Sequence, residues 1–349
     1  MRDEARATER RAPLTPADAG RLIAADARIT VERSEKRIFA DAEYAAAGCD
    51  PAEAGSWTGA PAEAVILGLK ELPVAPTALP WAMIHFAHIY KDQAGWRDEL
   101  ARFTEGGGRL YDLEYLADET GRRVAAFGYW AGWMGAALAL WRLLARRLGE
   151  PGPKTGVSSF EGRAEVEAIL ADLAGRSKDL PRAIVIGAKG RTGGGATEAL
   201  QSVGVPVTQW DIEETRNLDR DALLAHDLLV NCVLMIGPGL LLMDRSHLGA
   251  PTNRLEMIAD VSCDPFSDFN PLPVYDAPTS WDAPFLDLGQ NGAGQPLELT
   301  AIDNLPSLLP REASEDFSSQ LLPALLVYPD GIAWQNALAA FNDALARAS

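Results

Sequence analysis

Lysine is scarce in this chain of 349 residues, where Lys36, Lys70, Lys91, Lys154, Lys178 and Lys189 stand against a large excess of arginine. Basic charge is short altogether, with 32 lysines and arginines against 49 acids and a formal net charge of −17. Phosphate backbones and anionic membranes call for a basic face, so this balance argues against nucleic acid or a membrane surface as partner. Small anions still fit a local basic pocket. Only three cysteines occur, Cys49, Cys232 and Cys263, odd in number, far apart and without a C-x-x-C pair. Neither a disulfide scaffold nor a metal site is indicated, and a reducing cytoplasm suits them. The opening residues MRDEARATERRAPLTP contain no apolar core of a secretory signal. One long uncharged run, Val124 to Trp141, needs a membrane test because arginines flank it. It is rich in Gly and Ala, carries Trp130, Trp133 and Trp141 along its length and continues into the polar-faced WRLLARRLGE. A buried helix at a domain seam explains that pattern better than a membrane span.

What the chain does have is a glycine-rich turn inside a strand–helix–strand pattern, Pro181 to Asp211. Ala183 to Ile186 is a short apolar run, as in a parallel strand buried on both faces. Gly187, Gly190, Gly193, Gly194 and Gly195 follow. Glycine suits a sharp turn whose backbone N–H groups approach a pyrophosphate at the positive end of the next helix. That helix is expected from about Gly194 to Val203, ended by Gly204, with a second strand over Val205 to Trp210. Asp211 then falls at the strand tip, where an acid accepts hydrogen bonds from an adenosine ribose. Gly187, Gly190, Arg191, Thr192, Gly193 and Asp211 are therefore the candidate cofactor contacts. With Glu213 and Glu214 the acid repels a 2′-phosphate, which favours NAD over NADP, although Arg216 lies near. The spacing is G-x-x-G-x-x-G-x-G and not the strict G-x-G-x-x-G, and such turns also occur without a nucleotide. The strand, helix and acid together make the case for a cofactor.

The length suggests about two domains of roughly 100–200 residues. The N-terminal part reads as a second α/β unit. TPADAGRLIAAD from Thr15 has an N-cap threonine and a proline at the first helical position, and Arg28 to Glu32 reads as a strand. Asp41 to Ala47 is a short helix with Asp41 as its cap. Ala64 to Leu69 and Trp81 to Ala87 are strands that deliver Lys70, Glu71 and His88 at their ends. Gln93 to Thr104 is amphipathic helix, and Arg109 to Leu113 is a strand that presents Glu114. Ligands bind outside the carboxyl ends of parallel strands, so Lys70, His88 and Glu114 are candidate chemistry. Further on, Glu161 to Arg176 is a helix, Asp227 to Met235 and Glu256 to Val261 are buried strands, and Trp334 to Ala348 is a closing helix that packs back on the first domain.

Six stretches, in order and spanning nearly the whole chain, resemble one family: ILGLKELP (66–73), HFAHIYKDQAGW (85–96), LYDLEYL (110–116), GRRVAAFGYWAG (121–132), the glycine turn with WDIEET, and DNLPSLLPREAS (303–314). They are similar to saccharopine dehydrogenase (NAD, L-lysine-forming), which oxidises saccharopine with NAD and water to lysine and 2-oxoglutarate. The resemblance implies an α/β fold of two Rossmann-like domains with parallel sheets around an interdomain cleft, here residues 1–124 plus 305–349 for substrate and chemistry and 125–304 for NAD, in a monomer. It implies Lys70 and His88 as the acid/base pair, tuned by Glu71 and Glu114. Arg11 and Arg123 match its carboxylate-binding arginines, Arg6 and Lys91 further basic positions, and Asp303 an acid near the nicotinamide. The chain departs from the fungal pattern at Thr192, where fungal members have a cysteine that pairs with the counterpart of Cys232, so that disulfide cannot form. His85 reads as a packed or partly exposed histidine. Two competing readings stay open: an alanine dehydrogenase-like enzyme, which shares an N-terminal arginine, a K-E pair, a histidine after a strand and a DN-x-P turn, and a non-catalytic NAD-binding protein.

Overall fold

Local sequence opens the first helix as its residue types dictate: Pro16 occupies the first turn of α1 (Pro16–Ala24), and the Thr15 hydroxyl accepts from the Asp18 amide at 3.2 Å. The computed structural model describes residues 1–90, 94–235 and 237–348, which form two compact units, Met1–Ala126 with Pro310–Ser349, and Phe127–Leu309. In the first unit α1 leads to β1 (Thr30–Glu32), α2 (Asp41–Ala46) and β2 (Asp50–Ala52). The cap of α2 is Ala40 and not Asp41, which is already helical. Glu43 supplies the missing cap by accepting from the Ala40 amide at 2.8 Å, while Asp41 accepts from the Ser34 amide at 3.2 Å. A short 3-10 turn, Ser56–Gly59, then leads to β3 (Val65–Leu67), β4 (Ala82–His85), α3 (Trp96–Gly106) and β5 (Arg109–Asp112). The helix α3 starts later than expected, after Gly95 in a left-handed conformation at φ 79°, and Gln93 lies outside the described residues.

Two parallel sheets result, β1-β2 and β3-β4-β5. The first residues join them. Met1 donates to the Thr30 carbonyl at 2.7 Å and accepts from the Glu32 amide at 3.0 Å, while the Arg2 amide donates to the Leu67 carbonyl at 3.0 Å. The order is thus β2, β1, the N-terminal segment, β3, β4, β5, and the winding reverses between the N-terminal segment and β3. In a doubly wound sheet such a reversal opens a crevice at the carboxyl ends of the two central strands. Arg6 to Arg11 leave one of those ends, and Lys70 leaves the other.

The second unit begins with α4 (Gly128–Arg147), followed by α5 (Arg163–Arg176), β6 (Ala183–Ile186), α6 (Arg191–Gln201), β7 (Val207–Trp210), α7 (Ile212–Arg216), α8 (Arg220–Leu224), β8 (Leu228–Asn231), β9 (Met257–Asp260), β10 (Leu286–Gln290) and β11 (Pro296–Thr300). Its sheet runs β10-β11-β9-β8-β6-β7, with every pairing parallel except β10 with β11. The strands β6, β8 and β9 are buried at every residue, including the polar ends of β8 and β9, Asn231 and Asp260. The uncharged run is a buried helix, as its composition indicates, but α4 packs on α5, α6 and the sheet inside this unit, so its burial is that of a core helix. No helix among the described residues is long and apolar enough to cross a membrane. At its charged end Arg142 meets Glu298 with Nε and Nη2 at 2.9 and 2.7 Å, and Arg146 joins the same carboxylate at 2.8 Å.

The crossing of α4 and α6 depends on missing side chains. A Cβ on Gly132 would overlap the Thr192 carbonyl and stand 2.7 Å from its carbon, and one on Gly195 would overlap the Tyr129 carbonyl oxygen and lie 3.1 Å from the Trp133 amide. Backbone therefore packs directly on backbone. This explains why α6 begins at Arg191, three residues before its expected start at Gly194: Gly193 joins Gly194 and Gly195 in its first turns. After β11 a 3-10 turn, Leu305–Leu308, packs on α4, which carries the second unit on to Leu309. The chain then returns to the first unit as α9 (Pro310–Leu326) against α1, and α10 (Ile332–Ala348) against β5 and α3.

Candidate active site

Lys70, His88 and Glu114 all lie just past the carboxyl ends of the parallel strands β3, β4 and β5. The backbone of Lys70 is gripped by a buried ion pair from the N-terminal segment. Glu4 accepts from the amides of Leu69 and Lys70 at 2.7 and 2.9 Å, and the Arg2 guanidinium donates to the Lys70 carbonyl. Arg2 and Glu4 meet each other at 3.2 Å, both side chains almost fully buried. Burial raises the Glu4 carboxyl above its ordinary range in spite of that partner. Sequence reading passed over both residues, since their partners lie more than sixty positions away. The Lys70 ammonium is itself pushed down, first by burial and next by the Arg11 guanidinium, against the opposing pull of Glu9. A lysine so lowered is suited to take and return a proton.

The His88 backbone is left-handed, at φ 55°. For a residue with a Cβ that costs about 1–3 kcal/mol and persists only where the surroundings impose it. Its side chain is half exposed, with Nδ1 3.5 Å from Glu114 Oε2, and its ring stacks on Phe86 at 6.1 Å and 15°. Between the two strand tips sits Asp112, fully buried, which accepts from the Ala87 amide at 3.3 Å and the Glu114 amide at 2.9 Å. Burial raises its carboxyl to about 6. His85, the strand residue in register with Asp112, is packed: burial and the Arg2 charge hold it well below the usual histidine range.

The basic residues expected to hold carboxylates have different surroundings. Arg11 is buried in a fork with Glu9, donating from Nε and Nη2 to its two oxygens at 2.8 and 2.7 Å. Burial pushes Glu9 up, but the Arg11 guanidinium outweighs it and leaves the carboxyl below its ordinary value. Arg6 forks onto Glu71 at the rim. Burial raises Glu71, and hydrogen bonds from its own amide and from Arg6 bring it below the usual range. Arg123 is exposed, beside the antiparallel bridge it forms with Ala117, whereas Arg122 is turned towards Asp118 at 3.6 Å. Lys91 lies outside the described residues.

In the second unit, Gly187 ends β6 in a left-handed turn at φ 77°, and its amide donates to the Trp210 carbonyl at 2.8 Å. Gly190 caps α6, Arg191 and Thr192 are its first residues, and a Cβ on Gly193 would overlap the Gly187 carbonyl oxygen. The turn thus lies tight on its own helix, with the N–H groups of that helix's first turn at its end. Asp211 follows β7, where its carboxylate accepts from the amides of Lys189 and Ile212, both at 2.9 Å. Strand order reverses around β6, which has β7 on one side and β8 on the other. A cavity of about 370 Å³ opens at that point, lined by Gly187, Asp211, Thr215, Arg216, Val233 and Leu240. Apolar walls beside an acid at a strand tip fit an adenosine, so the residues present suit a dinucleotide. Asp303 is exposed beyond β11. Sequence reading missed a polar cluster at the ends of β8 and β9: buried Asp260 accepts from Asn231, Ser262 and Tyr275 at 2.9, 2.6 and 2.7 Å. The three cysteines are free.

Comparison with known proteins fits this arrangement. Residues 1–134 match the family described as alanine dehydrogenase/PNT, N-terminal domain. Among solved structures, an L-alanine dehydrogenase superposes with a TM-score of 0.71 at 19% identity, covering 99% of this chain and 98% of that one. A transhydrogenase from Sinorhizobium meliloti gives 0.64 at 14%, covering 93% and 92%. These two establish the fold. Sequence relatives go further. The saccharopine dehydrogenase (NAD(+), L-lysine-forming) of Neurospora crassa is 43% identical over 347 residues, 96% of this chain and 91% of its own. The enzyme of that name from Yarrowia lipolytica is 41% identical over 98% and 96%, and that of Schizosaccharomyces pombe 39% over 95% and 92%. At that identity over nearly its full length, the chain belongs to the saccharopine dehydrogenase (NAD(+), L-lysine-forming) family.

Proposed function

We propose that this protein oxidises saccharopine with NAD and water to L-lysine and 2-oxoglutarate, reversibly. The near-full-length relationship to enzymes of that name carries the reading, and the position of Lys70 and His88 past the ends of β3 and β4 supports their use as base and acid. The Gly187–Gly193 turn would hold NAD, Asp211 would accept from its ribose, and the bound cofactor would supply the hydride acceptor. Lys70 takes the proton of the substrate's secondary amine as the Cα–H bond is broken and the C=N bond forms. His88 activates water for addition to that imine, and then returns a proton to the nitrogen as the carbinolamine collapses to ketone and amine. Burial and the Arg11 charge lower the Lys70 ammonium, which eases the release and return of its proton. Glu71 and Glu114 tune the pair, Arg11 and Arg123 bind substrate carboxylates, with Lys91 as a further cation, and Asp303 would serve as the acid near the nicotinamide. We further propose that the protein is a cytoplasmic monomer.

Pairs of amino acid and keto acid distinguish this reading from an alanine dehydrogenase activity. NADH should be oxidised with lysine plus 2-oxoglutarate and not with pyruvate plus ammonia. Turnover with pyruvate and none with lysine would refute it. A single species of about 37 kDa in sedimentation checks the monomer.

A further inference from the structure

Two strand tips that carry reactive side chains must be held against each other if those side chains are to meet one substrate. In the first unit a single buried carboxylate does this. Asp112 is the last residue of β5, and both of its oxygens are spent on backbone. One accepts from Ala87, the residue before His88, and the other from Glu114 itself. The side chain therefore spans the β4 and β5 tips and fixes the two residues whose side chains approach at 3.5 Å. The unfavourable left-handed backbone of His88 begins one peptide beyond the amide that Asp112 grips. The charged and titratable groups that act on Asp112 are Glu114 and His88, and Tyr90, itself buried, is raised by it. His85 stands opposite in register. No cation is paired with Asp112 among the described ion pairs, so its burial has no salt-bridge explanation.

We propose that Asp112 is the positioning residue of the His88–Glu114 pair, holding His88 in its strained backbone conformation through the Ala87 and Glu114 amides. The proposal rests on the reading of His88 as an acid/base group. A carboxylate in this place suits the task because it accepts from two N–H groups at once. A carboxamide of the same shape turns an N–H toward one of those donors and breaks the bridge. The bridge is also at its strongest while Asp112 is ionised, since charged acceptors make the stronger hydrogen bonds. Its carboxyl is raised to about 6 by burial, so the clamp weakens as the pH falls through that value.

The test is a cycle of Asp112→Asn, His88→Gln and the double variant, assayed by NADH oxidation with lysine and 2-oxoglutarate and by direct NADH binding. Asp112→Asn should lower kcat by about 10- to 100-fold, the scale of a small misplacement of a reacting group, with NADH affinity unchanged. On the His88→Gln background the same change should cost less than about twofold, because the group it positions is already gone. An equal loss on both backgrounds would overturn the proposal, for Asp112 would then act independently of His88. If Asp112→Asn does not fold, Asp112→Ser, smaller and uncharged, takes its place in the cycle, and the same two outcomes decide. A protein that binds NADH but has no turnover with lysine and 2-oxoglutarate refutes the functional reading first, whereas turnover with an additive cycle refutes the positioning role alone.

Discussion

Adjacent glycines in α6 should respond to the same substitution with opposite signs. Gly194 faces outward with nothing within 4 Å of a Cβ, whereas a Cβ on Gly195 meets the Tyr129 carbonyl and the Trp133 amide of α4. In a helix interior, replacing Gly by Ala gains about 1 kcal/mol from reduced chain freedom. Gly194→Ala should show that gain in full. At Gly195 the gain is offset by overpacking, which costs about 1–3 kcal/mol and more where the obstacle is backbone that no rotamer change can move. A net loss of about 2 kcal/mol follows. For a unit of this size 1 kcal/mol shifts Tm by about 2–4 °C, so Gly194→Ala should melt a few degrees higher and Gly195→Ala about 4–8 °C lower. Because relief requires α6 to move away from α4, and the glycine turn proposed to hold NAD leads into α6, NADH binding should weaken by about tenfold in Gly195→Ala alone. Differential scanning calorimetry and a fluorescence titration with NADH read both effects. Equal melting temperatures for the two variants, within about 1 °C, would refute the packing argument.

Other perturbations reach the remaining parts of the structure. Lys70→Met should lower kcat by about 10²- to 10⁴-fold, the usual worth of a general base, and abolish the limb on which saccharopine oxidation rises with pH; a variant with the wild-type profile would show that the lysine is not the base. Asp112, whose carboxyl rises from an ordinary 3.8 to about 6 in the fold, should stabilise the first unit below pH 4 and lose that contribution as pH rises through 6. The loss, of the order of 3 kcal/mol, should be missing from Asp112→Asn in denaturant titrations across that range. Arg142→Ala strands Glu298, whose side chain is only 8% exposed, and should destabilise the second unit by about 3 kcal/mol by urea unfolding; a cost below about 1 kcal/mol would mean that Arg146 alone satisfies the carboxylate.

The parts of the fold that were legible in the sequence share a local cause. Thr15 and Pro16 mark a helix start by their own chemistry, and Ala183–Ile186 marks a buried strand by an unbroken apolar run. Lys70 and His88 were found because each follows such a run. What escaped depends on distant partners. Met1 and Arg2 form the centre of a sheet only because β1 and β3 flank them, and nothing apolar in MRDEA announces a strand. The β10–β11 hairpin was missed because β10 is largely exposed and lacks a core-facing pattern. The first three residues of α6, Arg191 to Gly193, read as turn because glycine disfavours helix, a preference overridden by the need to bring α4 close. Asp112 was hidden between Tyr111 and Leu113, where alternation made it just another strand residue. Glu9 gave no sign that it would accept from Nε and Nη2 of Arg11.

The discontinuity of the first unit bears on the order in which a ribosome can release a working protein. Residues 127–309 emerge as one uninterrupted stretch and contain every strand of their own sheet, so they can complete a domain while synthesis continues. The sheet bearing Lys70 and His88 is translated earlier but lacks α9 and α10, which cover α1, β5 and α3. It must wait, with apolar surface such as Phe103 and Leu110 not yet closed over by Phe341 and Ala344. The second unit is thus positioned to mature first, and the unit that carries Lys70 and His88 is completed only by α9 and α10, which are translated after it.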